Sequence, residues 1–147
     1  MRYHNITKDD LLNGDGFRVV LWVSGCSHRC KGCQNPITWN ANNGLIFDEK
    51  AKQEIFTELK KDYINGLTLS GGDPLFTSNR EEITSLVKEV KILFPEKTIW
   101  LYTGFKFEEI YDLEVIKYVD VIVDGKYEQD KPKANWVGSN NQRVIKL

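Results

Sequence analysis

Short apolar runs alternate along the chain with longer segments in which apolar residues recur at helical spacing. The runs rich in β-branched and aromatic residues are residues 17–23, 67–70, 98–102 and 120–124. Such runs, bounded by turn residues, are typical of buried strands. Apolar positions three and four residues apart predict helices over residues 48–62, 78–94 and 106–118.

Start and stop signals accompany the first two predicted helices. Asp48 stands where an N-cap side chain would accept a hydrogen bond from the first turn. Ser78 and Glu81 have the spacing of a capping box, and Pro95 marks the end of the same helix. Residues 1–16 are polar and rich in turn formers, which predicts either an edge strand followed by a turn or a loosely packed arm.

Strand and helix alternate from residue 17 to residue 124, which predicts parallel βαβ units with right-handed crossovers. Loops that follow parallel strands meet on one rim, where β/α barrels carry their chemistry. The segments expected on that rim are 24–36, 71–73, 102–104 and 124–126.

The length of 147 residues is that of one ordinary domain, spanning residues 1–147. With 41% hydrophobic and 28% charged residues, the chain can bury a core. The expected fold is α/β, a partial, open parallel β/α barrel of about five or six strands, because a complete eightfold barrel needs about 250 residues. One flank of such a barrel would stay uncovered.

Charge and hydropathy exclude several classes of function. The net charge is −1 and no basic block occurs, so bulk electrostatics gives no reason to expect nucleic acid or an anionic membrane as a partner. The N-terminal residues lack an apolar signal core, and no run approaches the roughly 20 apolar residues of a membrane span. We therefore expect a cytoplasmic protein, in which free thiols persist.

All cysteines of the chain stand in one C-x3-C-x2-C run, Cys26, Cys30 and Cys33, directly after the first predicted strand. Thiolates suit iron–sulfur clusters and zinc, and one short loop can wrap a single centre from three sides. A closed structural zinc site uses four protein ligands, so three cysteines leave a position open for chemistry.

Two other interpretations of the cysteines were considered. An odd count in a crowded triplet does not favour a disulfide framework. A zinc site with three cysteines and His28 or His4 stays open on spacing alone. His28 is otherwise expected to face solvent or to lie behind the ligands.

The cysteine loop, residues 25–35 followed by Thr38 and Trp39, resembles the cluster loop of the activating proteins of anaerobic ribonucleoside-triphosphate reductases. These are radical S-adenosylmethionine (SAM) enzymes, and the resemblance implies a [4Fe–4S] cluster held by the three cysteines with SAM on the fourth iron. Gly32 stands where most of the superfamily has an aromatic residue, and Gln34 replaces the usual aromatic after the last cysteine. The resemblance places Gly32, Cys33 and Gln34 beside the cofactor.

The segment Gly71, Gly72, Asp73 and Pro74 resembles the Gly-Gly-Glu motif of radical SAM enzymes. The resemblance implies that backbone carbonyls reach the methionyl ammonium group of SAM because glycines carry no side chain, and that the Asp73 carboxylate complements its charge. The alternative is a tight turn with Asp73 exposed.

Asp124 and Lys126 resemble the Asp-x-Lys segment that contacts SAM in glycyl-radical activating enzymes, with Lys126 near its carboxylate or ribose. The alternative is a hairpin turn and a solvated lysine. The resemblance also implies that Thr103 faces the ligand, and the alternative is that its segment is only the end of a strand and the entry to a helix. Residues 138–143 resemble a C-terminal element of the same family, although their composition also suits a turn, and Arg143 would bind an anionic group or the partner.

The function implied by the resemblance is reductive cleavage of SAM at the cluster, giving methionine and a 5′-deoxyadenosyl radical that takes a hydrogen atom from a glycine of the reductase. The implied electron donor is a reduced flavodoxin-like protein. No catalytic side chain is expected, because the cluster and SAM carry the radical chemistry. The alternatives are another radical SAM reaction, on a different glycyl-radical enzyme or on a small molecule as in deazaguanine-forming synthases, and a zinc-stabilised binding module.

Overall fold

The computed structural model describes residues 1–147, and its core is one sheet. The strands are β1 (Arg2–Asp10), β2 (Arg18–Val23), β3 (Leu45–Ile46), β4 (Gly66–Gly71), β5 (Thr98–Tyr102), β6 (Val121–Asp124) and β7 (Arg143–Lys146). The helices are α1 (Glu49–Leu59), α2 (Arg80–Leu93) and α3 (Phe107–Ile110), with 3-10 turns at Pro36–Thr38, Thr77–Asn79 and Glu114–Tyr118. None of these helices combines the length and apolar composition that a membrane span requires.

The strand order is β3-β1-β2-β4-β5-β6-β7. The four predicted strands form the centre, β2-β4-β5-β6, and pair in parallel as expected. The fold is thus α/β, but the prediction of five or six parallel strands is wrong: the open sheet has seven strands, and β1, β3 and β7 run antiparallel to their neighbours. The connections explain the difference, because segments 11–17 and 125–142 contain no helix to carry the chain back for a parallel strand.

The opening segment forms a strand, which is one of the two structures predicted for it, and not a loosely packed arm. β1 pairs antiparallel with β2 over a register that includes Tyr3 opposite Val23, whereas the two residues of β3 pair only with Arg2 and Tyr3 on its other side. Beyond Tyr3, β1 is therefore an edge of the sheet, and the irregular segment 11–17 follows it.

Helix boundaries depart from the sequence where tertiary contacts intervene. Asp48 is confirmed as the N-cap of α1, since its side chain accepts from the Ala51 N–H at 2.9 Å. The capping box of the second helix is wrong: Ser78 lies in a 3-10 turn and α2 begins only at Arg80. The preceding residue, Asn79, is buried, and its side-chain amide donates to the Ser24 carbonyl at 2.8 Å. This contact holds the start of α2 against the end of β2.

The predicted helix over 106–118 is also wrong as a single element. It divides into α3 and the 3-10 turn Glu114–Tyr118, because Leu113 between them adopts an extended backbone, with φ −70° and ψ 142°.

The two faces of the sheet differ, because successive strand residues point to opposite sides. One face is packed by the helices around an apolar core that includes Val19, Leu21, Leu67, Leu69, Ile99, Leu101 and Ile122. The other face has no helix and carries Arg18, Thr68 and Trp100, with Trp136 and Val137 packed against part of it. The helix-free face is where a cavity lies.

Candidate cluster and cofactor site

A cavity of about 310 Å³ opens at the carboxyl ends of β2, β4 and β5. It is lined by Cys26, Cys30, Cys33, Gln34, Trp39, Gly71, Gly72, Asp73, Tyr102, Thr103, Gly104, Gly125, Tyr127, Lys133, Gly138 and Gln142, among others. The three cysteines are thus brought to one cavity with the loops that follow two neighbouring strands, as the parallel order requires.

The base of the cysteine loop is closed by backbone hydrogen bonds. Gly25 N–H donates to the Thr38 carbonyl at 2.6 Å, and Cys26 N–H donates to the Trp39 carbonyl at 3.1 Å. Gly25 has φ +105°, and an added Cβ would lie 2.6 Å from the Phe76 ring, so glycine is required there.

The thiols of Cys26, Cys30 and Cys33 are free and half-buried. Burial raises the pKa of the Cys26 thiol, and the Asn35 N–H donates to Cys33 Sγ at 3.4 Å. No three His, Cys, Asp or Glu side chains converge on one point as a single-ion site would need. A [4Fe–4S] cluster does not require the three thiols to converge on one point, because each thiolate binds a different iron.

The glycines of the second motif have a structural reason of their own. A Cβ on Gly71, whose φ is +106°, would lie 2.5 Å from the Val23 nitrogen. A Cβ on Gly72 would lie 2.5 Å from the Gly25 carbonyl oxygen. Asp73 N–H donates to that same oxygen at 2.7 Å, so the end of β4 packs directly on the base of the cysteine loop.

The exposed turn considered for Asp73 is wrong, because its side chain is 1% exposed. Its Oδ2 accepts from Thr103 Oγ1 and the Gly104 N–H, both at 2.9 Å, and lies 2.6 Å from His28 Nε2. Its Oδ1 accepts from the Leu75 N–H at 2.8 Å. Donors of the protein therefore occupy the carboxylate that was expected to complement a ligand charge.

Gly32 and Gln34 are both exposed, and only Gln34 lines the cavity. Gly32 has φ +73°, and an added Cβ would lie 2.5 Å from the Gln129 side chain. Gly32 is therefore the point where the cysteine loop meets the segment after β6.

Asp124 and Lys126 do not line the cavity, although Gly125 and Tyr127 beside them do. Asp124 is buried and accepts from Arg143 Nε at 3.0 Å and from the Phe107 N–H at 2.7 Å. Lys126 is exposed. Their predicted contacts with SAM stay predictions, and the structure gives Asp124 a different set of partners.

The C-terminal element packs on the end of β6 rather than projecting from it. Gln142 Oε1 accepts from the Gly138 N–H at 2.8 Å, and its Nε2 donates to the Gly125 carbonyl at 2.9 Å. Arg143 also binds Glu108, whose pKa the guanidinium lowers to about 2. The Arg143 side chain is thus engaged by two carboxylates of its own chain.

Tyr102 and Lys133 were not among the predicted site residues. Tyr102 lines the cavity together with Trp39, and the Tyr102 hydroxyl and the Trp39 indole N–H are buried without a hydrogen-bond partner. Burial raises the pKa of Tyr102. Lys133 is the one lysine or arginine in the lining. Strand alternation could have indicated Tyr102, since it lies two residues after Trp100 on the same face.

Arg18 does not line the cavity, but it is a buried charge that the sequence analysis did not identify. It is fully buried on the helix-free face, where burial lowers its pKa to about 10. Its guanidinium donates to the side chains of Thr68 and Thr98 and to the carbonyls of Asp15, Leu67 and Thr98, and it lies 5.6 Å from the centre of the Trp100 ring. Through these hydrogen bonds, Arg18 joins the starts of β2, β4 and β5 on the helix-free face.

Known proteins resemble the chain over nearly its whole length. The profile of a family described as "4Fe-4S single cluster domain" matches residues 12–145. A protein of Enterobacteria phage T4 named "Anaerobic ribonucleoside-triphosphate reductase-activating protein" is 57% identical over 98% of this chain and 93% of the phage protein. Proteins of that name from Haemophilus influenzae and Escherichia coli are 43% and 41% identical, over 98% and 100% of this chain and 97% and 99% of their own lengths.

Proposed function

The chain belongs to the family of anaerobic ribonucleoside-triphosphate reductase-activating proteins, and from this we propose that it is a radical SAM activase that generates a glycyl radical on its reductase. The observation that carries the proposal is the meeting of three half-buried cysteines and the Gly71–Gly72 segment at one cavity. A [4Fe–4S] cluster bound by Cys26, Cys30 and Cys33 is the cofactor that this donor set fits.

The cavity also suits an organic cofactor with polar ends. Its volume of about 310 Å³ falls within the range of small-molecule sites. Tyr102 and Trp39 line it, and the Tyr102 hydroxyl and the Trp39 indole N–H are buried without partners, whereas such groups are normally hydrogen-bonded. We assign these two groups to polar atoms of SAM because the chain supplies no partner for them, and we assign Lys133 to the SAM carboxylate because it is the one lysine or arginine in the lining.

When bound, the cluster and SAM would supply a low-potential electron and a 5′-deoxyadenosyl radical, with methionine as the other product. The side chains of this protein would bind, orient and shield these groups and perform no acid–base step. The Gly71 and Gly72 backbone would border the ligand, while Asp73 would hold the surrounding loops in place.

The open sheet supports the choice of a protein substrate. In this proposal the helix-free face of the sheet would be the interior of a partial radical SAM barrel. Residues such as Trp136 and Val137 cover that face only in part. A glycine loop of the reductase could enter from the uncovered side. The proposal includes a single radical SAM domain, a cytoplasmic location, where thiols stay reduced, and a reduced flavodoxin-like donor.

Anaerobic reconstitution with iron and sulfide tests the proposal. We expect a brown protein that forms 5′-deoxyadenosine from SAM and dithionite and produces a glycyl radical signal, in paramagnetic resonance, only when the reductase is added. Cys30→Ala should lose both activities, whereas Ser78→Ala, an exposed change outside the site, should keep them. A colourless, zinc-rich protein would favour the binding module, and a small-molecule product formed without reductase would favour another radical SAM reaction.

A further inference from the structure

His28 lies between two of the predicted cluster ligands, and its side chain is only 7% exposed. Its Nε2 lies 2.6 Å from Asp73 Oδ2. An ionised carboxylate only accepts hydrogen bonds, so Nε2 carries the hydrogen and donates it. This nitrogen is therefore engaged by Asp73 and is not free to bind a metal ion.

The imidazole ring is enclosed by the loop that follows β5. The ring of Phe105 packs against it edge to face, with 4.6 Å between centroids. A Cβ on Gly104 would lie 2.4 Å from the imidazole, so glycine is what allows the ring to approach this closely. The guanidinium of Arg80 lies 5.4 Å from the centre of the Phe105 ring on the α2 side. The imidazole of His28 is thus packed between the Phe105 ring and the backbone at Gly104.

The acceptor for His28 is fixed independently of the cysteine loop. Thr103, Gly104 and Leu75 donate to the same carboxylate from the ends of β4 and β5. His28 is the remaining donor and the one that comes from the cysteine loop. The bond therefore joins that loop to two central strands of the sheet.

Few other bonds hold the ligand-bearing part of the loop. The hydrogen bonds of Gly25 and Cys26 close its base, and those of Cys33 and Asn35 stay within it. Among residues 27–34, the His28 bond is the only hydrogen bond that reaches the chain beyond the loop. Without it, the only hydrogen bonds from the loop to the rest of the fold would be those at its base, and the remaining contacts of residues 27–34 would be packing contacts such as that of Gly32 with Gln129.

We propose that His28 is a positioning residue: through Asp73 it holds the cysteine loop against the ends of β4 and β5, so that the thiols are placed before the cluster assembles. This inference rests on the proposed cluster site. Residues behind metal ligands that orient them typically change metal affinity about 10- to 100-fold when removed. The expected consequence is a labile cluster with a changed electronic environment.

The test compares His28→Ala and His28→Gln with Ser27→Ala in the reconstituted full-length protein. Ser27 is the exposed neighbour of His28 in the same loop and makes no hydrogen bond. We expect His28→Ala to lose iron to a chelator about 10- to 100-fold faster than the parent protein, with shifted g-values in the reduced state. His28→Gln, whose amide can donate to Asp73, should recover part of both properties, and Ser27→Ala should match the parent.

Each outcome decides the inference. If His28→Ala holds iron as long as the parent and keeps its g-values, His28 does not position the ligands. If His28→Gln behaves like His28→Ala while both apo-proteins unfold at the parent's urea concentration, the Asp73 bond is not the cause and the inference is overturned. Failure of the parent protein to assemble any cluster would instead reject the proposed function.

Discussion

Two carboxylates at the ends of central strands hold corresponding places on the rim, yet their surroundings differ. Asp73 follows β4 and Asp124 ends β6, and each side chain is 1% exposed. Sequence motifs assign both to SAM, whereas in the structure each one ties another segment to the sheet. Asp73 ties the cysteine loop through His28, and Asp124 ties β7 through Arg143.

The two ties differ in their access to water. His28 is 7% exposed, and the donors from Thr103 and Leu75 to Asp73 are also buried, so solvent replaces a lost bond less readily there. Arg143 is 48% exposed and divides its guanidinium between Asp124 and the exposed Glu108. Since a buried unpaired group costs far more than one that water can reach, the same type of contact should matter more beside the cysteines.

The largest effect is expected from Asp73→Ala, which leaves His28 and three further donors without their acceptor. A buried donor left without an acceptor costs about 1 to 3 kcal/mol, so losing the acceptor that four donors share should lower the free energy of unfolding of the apo-protein by about 3 kcal/mol or more. Urea denaturation measures it, and reconstitution should give little bound iron.

Asp73→Asn is the matched control for that prediction. The amide keeps one oxygen acceptor in nearly the same shape, so we expect a loss of about 1 to 3 kcal/mol. If Asp73→Ala unfolded at the same urea concentration as the parent, the carboxylate would not be the tie that the geometry indicates, and the contrast with Asp124 would disappear.

Gly72→Ala should rank next. The new Cβ would lie 2.5 Å from the Gly25 carbonyl oxygen and 2.8 Å from that of Thr38, and both are backbone atoms that cannot rotate away. Overpacking of this kind costs about 1 to 3 kcal/mol, and here it would push the base of the cysteine loop off β4. Thermal unfolding and bound iron should both decrease.

Gly138→Ala provides the comparison on the other side of the cavity. Its Cβ would lie 3.0 Å from the Tyr127 ring, a side chain that can shift by a few tenths of an ångström. We expect a smaller loss than for Gly72→Ala in both measurements. Equal losses at the two glycines would show that the regions do not differ in rigidity.

Sequence reasoning located the central strands and the cysteine loop because both depend on local patterns. The run over 17–23 is apolar enough to identify β2 without any partner. The short strands β3 and β7 were not predicted, because both are mostly exposed, and the antiparallel direction of β1 and β7 comes from the absence of a helix in the connections. The split of the third predicted helix at Leu113 likewise follows from packing rather than propensity.

The cysteine loop could be located from the sequence, whereas the contacts that support it could not. Three cysteines within eight residues are recognisable as a candidate metal-binding loop from the sequence alone. The partner of Asp73 stands 45 residues away in the sequence and that of Asp124 stands 19 away, so no local pattern could pair them. The motif resemblance assigned both carboxylates to the ligand. A motif identifies residues that lie near a site, and it does not distinguish a residue that binds the ligand from one that holds a neighbouring segment in place.

Arg143→Lys should have a smaller effect than either change beside the cysteines. A lysine ammonium cannot reproduce the fork that reaches Asp124 and Glu108 together, but water has access to the half-exposed position. The urea midpoint should fall by less than it does in Gly72→Ala, and bound iron should not change. Lys146→Gln, an exposed change on the same strand, is the control and should leave the midpoint unaltered. Loss of iron in Arg143→Lys would contradict the division into two regions.

The smallest effect on stability is expected from the exposed ion pair between Arg143 and Glu108. Arg143 lowers the pKa of Glu108 from 4.5 to about 2, and Glu108 is exposed. Because the folded-state pKa lies below the unfolded one, Glu108 stabilises the fold above pH 4.5, and this contribution is lost as the pH falls toward 2.

Other carboxylates titrate in this window, so the informative quantity is the difference in unfolding free energy between the parent apo-protein and Glu108→Gln, measured at several pH values. That difference should shrink from pH 5 to pH 2.5 and should also shrink in high salt, since the pair is screened. Glu96→Gln, which alters an exposed carboxylate without any ion pair, should show no such trend. A pH-independent difference for Glu108→Gln would mean that solvent already cancels this end of the tie, leaving Asp124 as the only carboxylate that Arg143 stabilises.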